Sequence, residues 1–420
     1  MKIIRIALIS IFALTMATLP SSAQHSKMRM GFTPATVTFP ENKDVVEIPF
    51  EFIRDKIMVP VSVNGSEPMS FILDTGAPIA VLKDSELVSA LDLNIVGHAQ
   101  VGGAGEGATS SVPLAGDVTF QVGSIEITGG TMAIGVGEQL PDFGWDGVIG
   151  RPLFKNLVVD LDFANKVLRL YPPEKFAYSG NGSELPLTIE HGSFPYVDTE
   201  VSIDGGDAVP ATIVIDTGAG HALSLSVGNH NGLDLPKKTV SSILGWGANG
   251  VIRGRTGRVT SLKLGDYVLH DVVAGFPDAN GMHALAANGL NDRERHGILG
   301  AKVLKRFRVI FDYTNERMIL EPNARLESPF AFNSTGLMPL PWATGAPSLE
   351  VADVIASSPA QTAGIEVGDR ITAINGIPVE DIGVDAIDDL FKQAPGSEIT
   401  LTILRDKKEF ETKLVLQELI

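Results

Sequence analysis

The 420-residue chain contains no cysteine. Disulfides, thiolate metal sites, a cysteine nucleophile and a thioether lipid anchor are thereby excluded. Aromatic residues are few, at 6%, and 33 Lys and Arg stand against 50 Asp and Glu, a formal net charge of -17. A surface of that sign repels phosphate backbones and anionic lipid, so no nucleic-acid partner is expected. The eight histidines never show the His-Glu-x-x-His spacing of zinc hydrolases, and no Gly-x-Ser-x-Gly elbow occurs. The glycine-rich stretch Gly103-Ala104-Gly105-Glu106-Gly107 lacks the lysine that a phosphate loop requires. No metal and no cofactor are expected.

Long apolar runs are also scarce. One, from Ile6 to Leu19, follows Lys2 and Arg5 and precedes Pro20-Ser21-Ser22-Ala23. At about 1.5 Å per residue it is too short to cross a hydrocarbon core about 30 Å thick. Its basic start and small-residue end read as a signal peptide, residues 1–23, cleaved after Ala23. No integral membrane segment is expected to remain after cleavage, and a secreted or periplasmic location follows.

Glycine is abundant, at 44 residues, in a chain that is 44% hydrophobic. That balance is too apolar for disorder and suits turn-dense β structure. At roughly 150 residues per domain, the length predicts two to three domains.

An internal repeat supplies the plan. Phe71-Ile72-Leu73-Asp74-Thr75-Gly76-Ala77 recurs as Ile213-Val214-Ile215-Asp216-Thr217-Gly218-Ala219, an offset of 142. Downstream, Gly147-Val148-Ile149-Gly150 recurs as Gly297-Ile298-Leu299-Gly300, and Asp162, Asn165 and Leu170 recur as Asp312, Asn315 and Leu320, all at an offset of 150. Each copy reads as short strands bounded by Gly, Asn, Asp or Pro, with thin helical signal near Lys83–Leu91 and Ala301–Arg306. After Pro322 the pattern changes. A linker is expected from residue 327, followed by a compact α/β module with a strand at 348–354, a helix at 385–393 and a strand at 398–404. The expected organisation is a signal peptide at 1–23, an extension at 24–44, lobes at 45–180 and 181–326, and linker plus module at 327–420.

The repeated Asp-Thr-Gly is a chemical signal. Two carboxylates about 3 Å apart cannot both ionise, so one stays protonated to polarise a carbonyl while the other takes a proton from an attacking water. Asp74 and Asp216 each follow three apolar residues, which fits a strand delivering the carboxyl into the interior. Gly76 and Gly218 permit close backbone approach, and the hydroxyls of Thr75 and Thr217 can brace one loop against its twin. Val148-Ile149-Gly150 and Ile298-Leu299-Gly300 would pack against those loops.

These residues resemble the pepsin-like and retroviral-type aspartic proteases, over roughly residues 45–326 with both half-sites in one chain. The resemblance implies a mostly β protein with two acid-protease-type barrel lobes forming a pseudo-dimer around a peptide cleft. Asp74 and Asp216 would be its catalytic pair, hydrolysing peptide or protein substrates as a monomer. Ala77 and Ala219 stand where pepsins place a hydroxyl residue, which favours the retroviral-like branch. Without those donors the activity bell is expected at roughly pH 4.5 to 6. Family flaps are glycine-containing hairpins; the matching stretches are 101–107, with Gly103 and Gly105, and 244–250, with Trp246 and Gly247. Neither carries the flap tyrosine of pepsins.

The C-terminal module resembles a PDZ domain through Ser358-Pro359-Ala360, Ala363-Gly364-Ile365, Gly368-Asp369-Arg370-Ile371 and Ile374-Asn375-Gly376. That likeness implies that Gly336, Leu337 and Met338 form a loop receiving the carboxylate of a C-terminal peptide, beside a strand that the ligand extends. The competing reading is an adaptor whose lobes are catalytically silent. Two intact Asp-Thr-Gly copies argue against it, because burying two facing acids has a desolvation cost that a scaffold has no reason to bear.

Overall fold

The computed structural model describes residues 12–14, 35–103, 105–107, 110–136, 144–190, 194–228, 232–247, 250–278, 295–340, 343 and 345–420. The signal-peptide assignment falls almost wholly outside them. Residues 12–14 form a strand pairing with 101–103.

Both lobes are built on one scheme. In the first, Lys56–Val63 pairs antiparallel with Met69–Leu73, which ends at the first Asp-Thr-Gly. The chain then forms Ala80–Leu82, the long hairpin Asn94–Gly103 and Ser110–Val122, and the returning strand Ile125–Ile134. Gly147–Ile149 finally slots in parallel to Met69–Leu73 and antiparallel to Ala80–Leu82. In the second lobe, Gly297–Leu299 inserts the same way between Val209–Ile215 and Leu223–Leu225. The three-residue inserts are fully buried, which is why they read as uninterrupted apolar runs rather than alternating ones.

The lobes are joined by a six-stranded sheet across the pseudo-twofold. Val158–Asp162 pairs antiparallel with Phe307–Asp312, placing Val159 opposite Phe311 and Leu161 opposite Val309. Each of these strands runs into a hairpin closed by an Asp-x-x-Asn turn. Asn165 donates from its backbone N–H to Asp162 Oδ1 and from its side chain to Asp162 Oδ2, at 3.0 and 2.8 Å. Asn315 repeats this on Asp312, at 3.2 and 2.8 Å.

Arg308 closes the seam. Its Nε and Nη2 reach Asp160 Oδ1 and Oδ2 at 2.9 and 2.7 Å, and the Asp160 carboxylate is fully buried. Removing Arg308 leaves the buried Asp160 carboxylate only the more distant Arg169, whose Nη1 lies 3.8 Å away, so most of the pairing of a buried charge is lost. Arg308→Ala should therefore cost about 3 kcal/mol of stability, read as a lowered urea midpoint; a loss below about 1 kcal/mol would show that the pair is well solvated.

The helical expectations are partly corrected. Residues 83–91 hold only a 3₁₀ turn, Ser85–Val88, started by Asp84 accepting from Glu86 N. It buries no residue, so nothing rewards a longer helix. The second-lobe helix is Ala301–Leu304, and its first-lobe twin, Arg151–Phe154, was not anticipated.

The C-terminal module has its own core, including Leu349, Ile371, Ile387, Phe391 and Leu401. Its elements Leu349–Val354, Val384–Phe391 and Glu398–Arg405 lie close to the expected positions. Arg306 fixes the connecting segment: its Nη1 donates to Arg325 O at 3.0 Å and Leu326 O at 2.9 Å, and the guanidinium stacks 3.6 Å from the Phe330 ring centroid. The module also touches both lobes directly, through Arg54 N to Asp385 Oδ1 and Ile243 N to Asp353 Oδ2, both 3.2 Å.

Candidate active site

Strand geometry brings the two Asp-Thr-Gly loops together. Asp74 N donates to Ile149 O at 3.0 Å and Asp216 N to Leu299 O at 2.9 Å, so the last ladder bond of each inserted strand fixes the backbone of each aspartate. Gly150 and Gly300 end those strands against the loops: a Cβ on Gly150 would lie 2.6 Å from Ala77 O, and one on Gly300 2.5 Å from Ala219 O. The apolar-apolar-Gly segments thus pack where the sequence placed them, and glycine is required by close approach.

The threonines bind the lobes to each other. Thr75 N donates to Thr217 Oγ1 and Thr217 N to Thr75 Oγ1, both at 3.0 Å. Each hydroxyl then donates onward across the dyad, Thr75 Oγ1 to Ile215 O at 2.7 Å and Thr217 Oγ1 to Leu73 O at 2.8 Å. Thr217→Val keeps the shape and deletes two of these four bonds, leaving Leu73 O and Thr75 N buried without partners. A loss of about 2 kcal/mol is expected in chemical denaturation, with Thr75→Val matching it by symmetry; a neutral result in both would show that the brace is replaceable.

Gly76 N and Gly218 N donate to Asp74 Oδ1 and Asp216 Oδ1, at 2.7 and 2.8 Å. Both carboxyls are buried, and Asp74 Oδ2 has no hydrogen-bond partner. Burial, reinforced by the Asp216 charge, holds Asp74 well above the usual carboxylate range. Burial also raises Asp216, but there the ammonium of Lys56 opposes it. The pair is therefore set for one proton and one charge.

An aspartyl protease model matches residues 59–153 and again 199–303, once per lobe, and a PDZ domain model matches 350–405. Each lobe thus carries an aspartyl protease family domain, and the C-terminal module a PDZ domain. Among curated proteins none matches the chain.

Both flap candidates of the protease lobes are hairpin tips. Gly103 ends its strand and Gly105 sits beyond it at a φ of +126°. Trp246 and Gly247 pair with Val251 and Gly250 at the tip of the hairpin Thr239–Gly247 and Gly250–Leu264. The tips meet: Glu106 N donates to Val251 O at 3.1 Å. Sequence reading proposed two separate flaps and had no means of pairing them.

In the PDZ domain, Gly336 has a φ of +79° and would clash with Ser358 if it carried a Cβ. The expected loop is corrected: Leu337–Pro339 is a strand paired with Leu349–Val354 and Leu337 is buried, and the backbone donors at its start are engaged within the module. Gly336 N donates to Asn333 Oδ1 at 3.0 Å and Leu337 N to Thr335 Oγ1 at 2.9 Å. Leu337 and Met338 line a cavity of about 440 Å³ whose other walls include Leu244, Ile252 and Ile298 of the second lobe and Phe391 of the PDZ helix.

Lys56 is the site residue that the sequence did not reveal. It follows Arg54 and Asp55, both in the left-handed region, and a Lys leaving a tight turn reads as a solvated one. Instead it is buried, and its Nζ donates to Gly218 O in the opposite Asp-Thr-Gly loop. His221 lines the cavity and is pushed down to about 4 by burial and by Lys56. Among the described residues no group of three or more His, Asp or Glu is placed to hold a metal, and no helix is long and apolar enough to cross a membrane.

Proposed function

We propose that this chain is an exported aspartic endopeptidase in which a water held between Asp74 and Asp216 attacks a peptide carbonyl. The observation carrying this reading is the reciprocal threonine brace, which holds two buried, facing carboxyls in one fixed geometry. Asp216, the carboxyl beside a cation, takes the proton from water. Protonated Asp74 hydrogen-bonds the carbonyl oxygen as it gains negative charge. Collapse of the resulting diol returns a proton to the departing amine and leaves an acid and an amine as products. One chain supplies both carboxyls, so a monomer suffices.

The PDZ domain would recruit substrate or partner C-termini, and the signal-like N-terminus would place the enzyme outside the cytoplasm. Purified full chain incubated with a random peptide library should generate internal cleavages that a statine-type inhibitor suppresses. Absence of cleavage across pH 3 to 8 by a folded protein would overturn the reading. N-terminal sequencing of protein recovered from the producing cell should begin at Gln24.

A further inference from the structure

The two half-sites are related by the repeat, yet their electrostatic surroundings differ. In the first lobe Met58 lies opposite Ile72, and in the second Tyr196 lies opposite Val214. Ile72 and Val214 both stand two residues before an active-site aspartate. Counting back two positions along each paired strand gives Lys56 in one lobe and Phe194 in the other. A lysine therefore occupies this position in the first lobe alone.

It is also placed with care. Lys56 is 5% exposed. Its Nζ donates to Gly218 O, while Gly218 N donates to Asp216 Oδ1. A Cβ built on Gly220 would lie 3.6 Å from the same nitrogen, so the ammonium sits inside the loop that carries Asp216. The groups facing it are Asp216 and Asp74, Asp55 from its own turn, Lys302 from the helix Ala301–Leu304, and the ring of His221; burial lowers its proton affinity and the two aspartates oppose this. The pair itself also faces Arg295, just before Gly297–Leu299, and the phenol of Tyr313. Asp55 is already bound to Lys305 at 2.8 Å and Lys302 at 3.6 Å, which leaves the aspartate pair to balance Lys56. A buried ammonium, one carboxylate and one carboxylic acid sum to zero charge, the arrangement with the least desolvation penalty.

We propose that Lys56 is a positioning residue that makes the catalytic pair unequal: its ammonium, anchored in the Asp216 loop, keeps the negative charge on Asp216 and the proton on Asp74. This rests on the reading of the lobes as a working protease. It assigns the water-activating and carbonyl-polarising roles, which the repeat alone leaves interchangeable. A cation beside the pair lowers its proton affinity in both titration steps, so removing the Lys56 charge moves both steps to higher pH.

The test is Lys56→Gln, which keeps a donor for Gly218 O and deletes the charge, beside Lys56→Cys. The chain has no other cysteine, so the unfolded Cys variant can be alkylated with bromoethylamine and refolded to restore an ammonium at that one position. Both limbs of the kcat/KM profile should rise by about one to three pH units in Lys56→Gln and return in the alkylated protein. Carbon-13 NMR titration of labelled aspartate carboxyls, assigned with Asp74→Asn and Asp216→Asn, should show the same displacement without requiring turnover. Unmoved titrations in folded Lys56→Gln would overturn the inference even if the enzyme is active. Displaced titrations in a chain that cleaves nothing would support it and fault only the assignment of activity.

Discussion

Asp74→Asn and Asp216→Asn should each lower kcat/KM by about a thousandfold or more, since each deletes one of the two proton carriers on which the chemistry depends. The variants should nevertheless be folded. Burial and Asp216 give Asp74 a higher proton affinity in the native state than in the unfolded chain. A raised native value contributes stability that is complete below the ordinary carboxylate range near pH 4 and is lost as pH rises through the native value. Asn imitates the protonated acid at every pH. Asp74→Asn should therefore melt close to the parent at pH 4 and above it at pH 7. Retention of near-normal activity by Asp216→Asn would instead mean that two copies of the first lobe build the site.

Substitution of the two motif glycines should separate them sharply. A Cβ on Gly218 would enter van der Waals space of Asp74 Cγ and lie 2.6 Å from Asp74 Oδ1, whereas one on Gly76 comes no closer than 3.0 Å to Asp74 Oδ1 and 3.2 Å to Asp216 Oδ2. Gly218→Ala has to push the first-lobe carboxyl out of line, and the opposite loop is held by the threonine brace and cannot follow. Loss of activity by at least about a hundredfold is expected, in keeping with the sensitivity of such chemistry to a displacement of about 1 Å, together with an overpacking cost of about 1–3 kcal/mol. Gly76→Ala should keep measurable turnover. Steady-state kinetics and urea melts on both variants decide this, and equal effects would contradict the geometry.

The expected activity range of roughly pH 4.5 to 6 rested on the missing hydroxyls at Ala77 and Ala219, both fully buried. Lys56 pulls the other way, because a cation lowers the carboxyl pair. The position of the wild-type profile therefore measures how far one buried ammonium offsets two absent donors.

Much of the molecule was legible in its order of residues. The offsets of 142 and 150 identified two copies, and the apolar triplets before Asp74 and Asp216 identified strands ending in buried acids. These signals are local, so each needs only a few neighbouring positions to express a turn or a strand. The tertiary structure alone decided what depends on distant partners. Whether Lys56 is solvated or buried turns on Gly218, which lies 162 positions away. Whether the flap tips touch turns on Glu106 reaching Val251. The repeat made the half-sites look equivalent, and only the packing of the 54–56 turn against the opposite loop broke that equivalence, since a charge acts through space rather than along the chain.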